Sequence, residues 1–106
     1  MPRRELVVMP LEDAGEALSD RRDLIERLAA LNTSPERPGE DVLYGPGIRI
    51  DLPPDQDPVR QMLLTVVDDD IAFSVIRRIL SRFAWRVLDP ISGMEWVGRS
   101  EGDGEG

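Results

Sequence analysis

Ile48-Arg49-Ile50-Asp51-Leu52 alternates apolar and charged residues without a break. Successive side chains of a strand point to opposite faces, so this run predicts a strand with one buried and one wet face. Met62-Leu63-Leu64-Thr65-Val66-Val67 is apolar at both parities and β-branched towards its end. It predicts a central strand, covered on both sides or lying against a partner. Two shorter strands are expected at 85–88 and 94–97. Trp85 and Val87 share one face of the first, and Met94 and Trp96 share one face of the second. Asp89-Pro90-Ile91-Ser92-Gly93 between them has the composition of a hairpin turn. Residues 4–9 read as a short strand ended by Pro10 or as an extended arm. Val42-Leu43-Tyr44 reads as a brief strand or a packing anchor, before the chain breaks at Gly45-Pro46-Gly47.

Helical spacing appears twice. Leu24, Leu28 and Leu31 fall on one side of a helix expected from about Asp20 to Leu31, with Ile25 widening the stripe. Ser19 or Asp20 is placed to cap it, and Asn32 before Thr33-Ser34-Pro35 is placed to stop it. Arg22–Glu26 and Asp23–Arg27 are opposite charges four apart, each pair worth about 0.2–0.5 kcal/mol. The second helix is expected from about Asp70 to Phe83. Ile71, Ala72, Val75, Ile76, Ile79 and Leu80 belong to an apolar arc about 200° wide, which suits a helix lying on a sheet.

These elements predict an α+β domain, a two-layer sandwich with a small antiparallel or mixed sheet and two helices on one face. The order β–α–β–β–α–β plus a terminal strand is that of the ferredoxin-like arrangement with a C-terminal hairpin. Proteins of that arrangement do unrelated jobs, so the order selects no function. A single domain is expected over 1–98, followed by a disordered acidic, glycine-rich tail over 99–106. A sheet this small leaves its second face open unless something covers it, and a homodimer would.

Composition narrows the chemistry more than the fold. The 106 residues carry 13 basic and 21 acidic side chains, a formal charge of −8. That balance argues against broad attraction to nucleic acid or an anionic membrane. All the basic residues are arginine, and there is no His, Lys or Cys. The commonest general base and metal ligand, Schiff-base chemistry and the thiolate nucleophile are absent together. No serine lies in a Gly-x-Ser-x-Gly elbow. No stretch approaches the roughly 20 apolar residues of a membrane span, and the short apolar run after Arg4 is not that of a signal peptide. A cytoplasmic location, no cofactor and a non-catalytic role are the resulting expectations.

Two features remain as candidate chemistry. Asp68-Asp69-Asp70 either caps the second helix or holds Mg²⁺ in a phosphate enzyme, and the cap needs no further ligands. Arg77, Arg78 and Arg82 lie on the polar face of the second helix with no acidic residue three or four positions away, and Arg86 follows. Their partners are expected among the carboxylates of 36–57, on an acidic face of a protein partner or second subunit, or on a small anionic ligand such as phosphate or, less favoured, nucleic acid. Tyr44 and Trp96 complete the candidate binding residues, each as a surface anchor or as part of the core. The leading expectation is a protein-interaction or small regulatory domain that self-associates, with anion binding by the arginine face as the alternative.

Overall fold

A computed structural model describes residues 4–11, 15 and 17–98. In chain order the elements are β1 Arg4–Pro10, α1 Arg21–Ala29, β2 Val42–Gly45, β3 Ile48–Asp51, β4 Met62–Val66, α2 Asp69–Leu80, β5 Trp85–Leu88 and β6 Glu95–Val97. The expectation for 99–106 falls outside the described residues.

The strands form one sheet in the order β2-β3-β4-β1-β5-β6, with every neighbouring pair antiparallel. β4 and β5 both run against β1, so α2 connects two parallel strands across one intervening strand. β1 and β3 both run against β4 and are likewise parallel, and α1 together with the edge strand β2 makes the connection between them. This is the ferredoxin-like order β3-β4-β1-β5, extended by an edge strand at either side. Residues 4–10 are therefore a sheet strand rather than an arm, and β1 lies at the centre.

Register explains the layering. Leu43 pairs with Ile50, Ile50 with Leu64 and Leu64 with Leu6. Val8 pairs with Met62 and Val87. All of these side chains are buried on the face that carries the helices, in one cluster with Leu24 and Leu28 of α1 and Ala72, Ile76 and Ile79 of α2. Fully burying a Leu, Ile or Val contributes about 1.5–3 kcal/mol relative to leaving it exposed. This single layer is the core.

The local signals behave as their chemistry requires. Asp20 caps α1 by accepting from the Asp23 N–H at 2.8 Å, and Asn32 ends the helical segment at φ +62°. Both expected α1 ion pairs form, Arg22–Glu26 at 3.5 Å and Asp23–Arg27 at 3.7 Å. Gly47 turns the chain from β2 into β3 at φ +71°, and its carbonyl accepts from the N–H groups of Val67 and Asp68. A Cβ at Gly47 would lie 3.1 Å from the Ala72 nitrogen and the Asp68 carbonyl oxygen. Glycine is required there by conformation and by space together. No helix among the described residues is long and apolar enough to cross a membrane.

Candidate functional site: the open sheet face and the arginine end of α2

The odd-numbered positions of β1 and their partners make the face that the helices do not cover. Val7 pairs with Leu63 and with Leu88, and Met9 follows on the same side beside Arg86. All four apolar side chains are partly exposed. They form a strip across β4, β1 and β5, the middle of the sheet. Charges flank it. On β3, Arg49 meets Asp51 at 2.9 Å. On the other side Arg86 meets Glu95 at 2.9 Å and donates to the Pro10 carbonyl at 3.3 Å. The carboxylate of Asp51 raises the Arg49 pKa first through the hydrogen bond it accepts and then through its charge. Tyr44 stands on this face opposite Arg49, 42% exposed, and Val97 stands on it opposite Arg86, 54% exposed.

Alternation along β5 separates Arg86 from the other candidate arginines. Trp85 and Val87 point into the core, so Arg86 must point away from it, onto the open face. Arg77, Arg78 and Arg82 lie instead on the exposed side of α2 and the turn after it, across the helical layer. None of the three makes an ion pair among the described residues. Of the carboxylates of 36–57, expected as their partners, Asp41 pairs with Arg21 and Asp51 with Arg49, and none is within ion-pair distance of the three arginines.

Trp96 joins the two regions. It is on the core side of β6, opposite Val87, and its ring lies 5.5 Å from that of Phe73 on α2. Arg4 in turn sits 5.5 Å above Phe73, with its Nε 3.5 Å from Asp89. Between α2 and the edge strand β6 runs a groove of about 450 Å³, lined by Arg77, Leu80, Ser81, Glu95, Trp96 and Val97. The six candidate residues divide between two surfaces, Tyr44 and Arg86 on the open face and Arg77, Arg78 and Arg82 on α2, with Trp96 at the groove.

The aspartate cluster serves the helix. Asp68 is the N-cap of α2, accepting from the Asp70 N–H at 3.0 Å, and Asp69 and Asp70 occupy the first turn, where the helix dipole favours negative charge. Among the described residues no three acidic side chains converge to hold a metal ion.

Spacing along the sequence does not single out the strip of Val7, Leu63, Leu88 and Met9 as a site. Its signals were present: the apolar second parity of β4, and apolar residues at both parities of β1 and β5. Comparison with protein-family models, curated proteins and solved structures returned no match, so the functional reading rests on the chain's own geometry.

Proposed function

We propose that this domain is a non-catalytic protein-interaction module that self-associates through the open face of its sheet. The carrying observation is the apolar strip of Val7, Leu63, Leu88 and Met9 at the middle of that face, with Arg49–Asp51 and Arg86–Glu95 beside it. An apolar centre with a charged, hydrogen-bonded rim is the anatomy of a protein interface. A face of this kind is suited to a second copy because a two-fold dimer needs only one self-complementary patch. The charges are already paired at the rim, so a facing sheet would not leave an isolated charge in contact with apolar surface. The want of His, Lys and Cys supports a role that does not depend on the commonest catalytic groups.

Sedimentation velocity over a range of concentrations tests this reading. The expected result is a mass shift from monomer to dimer, abolished by Leu63→Asp with the fold intact by circular dichroism. A single monomeric species at high micromolar concentration would end the self-association proposal.

A second reading is favoured by one observation: Arg77, Arg78 and Arg82 lack ion-pair partners among the described residues, and Arg77 borders a groove. In that reading the arginine end of α2 holds a small anion. Inorganic phosphate should then raise the melting temperature of the domain, and Arg78→Gln/Arg82→Gln should remove the rise. No shift with phosphate counts against it.

A further inference from the structure

We propose that the arginine end of α2 is the docking surface for the chain's own acidic segment 99–106. The segment reads Arg-Ser-Glu-Gly-Asp-Gly-Glu-Gly, with acids at 101, 103 and 105 alternating with glycine. In an extended chain that spacing puts all three carboxylates on one side. The alternating glycines carry no side chain to hold the backbone away from a surface.

The place where the chain leaves the sheet favours this occupant over others. Gly98 donates to the Trp85 carbonyl at 2.7 Å and is packed against the end of α2. A Cβ on Gly98 would lie 2.6–2.8 Å from the carbonyl oxygens of Trp85, Phe83 and Leu80. Gly98 therefore sits beside Leu80, which lines the groove together with Arg77 and Ser81. From Gly98 to Glu101 an extended chain reaches about 10 Å. Arg77 is only three helical residues from Leu80, about 4.5 Å along the axis. The first carboxylate reaches the first arginine with length to spare.

Charge points the same way. The chain carries a net −8, so most of its surface repels an acidic segment, whereas the last turn of α2 and the residues after it hold three exposed arginines. A single exposed Arg–carboxylate pair is weak. Tethering changes that balance, because a short linker holds the segment at a local concentration in the millimolar range. The contact is accordingly a population bias that salt weakens.

The chain has no cysteine, so Gly104→Cys gives one attachment point for a nitroxide. Paramagnetic broadening of the ¹⁵N-labelled full chain is then read at the amides of Arg77–Arg82, in low salt. The expected result is strong broadening there, falling at least twofold in Arg77→Gln/Arg78→Gln/Arg82→Gln and in Glu101→Gln/Asp103→Asn/Glu105→Gln, and likewise in high salt. Broadening that is unchanged in both triple variants would overturn the proposal. A mixture of ¹⁵N chain without nitroxide and unlabelled chain with it detects docking between copies. Broadening of equal strength in that mixture would overturn docking within one chain. The Leu63→Asp variant should keep the broadening, which separates this proposal from the open-face dimer.

Discussion

Asp89 shows what one residue contributes in a turn. Its carboxylate accepts from the N–H groups of Ile91 and Ser92 at 2.9 and 3.3 Å, and Arg4 stands 3.5 Å away. The hydrogen bond from Ile91 is the largest of the influences that hold its pKa below the ordinary carboxylate value, outweighing a smaller opposing effect of desolvation. The folded state thus binds a proton at Asp89 less readily than the unfolded chain does. Its stabilising effect is complete above the unfolded value, near 4, and is lost as pH falls through the lower folded one. Asp89→Asn should therefore flatten the acid limb of a plot of urea midpoint against pH, with its main effect above pH 4. Gly47 offers a test without charge. Gly47→Ala places a side chain at positive φ against α2 and should cost about 1–3 kcal/mol in urea unfolding.

At the scale of elements, Arg21 ties α1 to the long connection between β3 and β4. It pairs with Asp41 and donates to the carbonyls of Pro53 at 2.7 Å and Gln56 at 3.1 Å. Arg21→Ala should destabilise the domain by about 1.5–3 kcal/mol, the range for hydrogen bonds to charged groups. The places of the helices and most strands were legible because they depend on local period: Leu24 and Leu28 repeat at helical spacing, and Ile48 and Ile50 alternate. The C-terminal bounds were not, since α1 ends at Ala29 and α2 at Leu80 while the apolar pattern runs on to Leu31 and Phe83. The place of residues 4–10 was not legible. Nothing within Arg-Glu-Leu-Val-Val-Met-Pro specifies that Val7 will meet both Leu63 and Leu88. Arg86 lies between these cases. The alternation of Trp85, Arg86 and Val87 implied that it points away from the core, but nearness in sequence grouped it with the arginines of α2. The partner that Arg86 finds, Glu95, is across the hairpin.

The molecule as a whole has one covered sheet face, one open face and two different edges. The β2 edge is met by Ser34, which exchanges backbone hydrogen bonds with Tyr44 at 2.8 and 3.1 Å. Beyond β6 no described strand is paired. Arg77, the groove and the point at which the chain leaves Gly98 lie at this β6 side, whereas the apolar strip occupies the middle of the opposite face. Two surfaces so placed are separable by mutation. Leu63→Asp should change the mass of the particle and leave the salt dependence at α2 untouched, while glutamine at positions 77, 78 and 82 should do the reverse.

The central place of β1 has a kinetic consequence. Val8 finds Met62 on one side, and Pro10 finds Trp85 on the other. On a ribosome β1 must wait for β5, about 75 residues later, before both its edges are filled. Such non-local pairing makes folding slow. Nascent chains stopped before residue 85 should stay sensitive to protease, and resistance should appear only after β5 has left the exit tunnel.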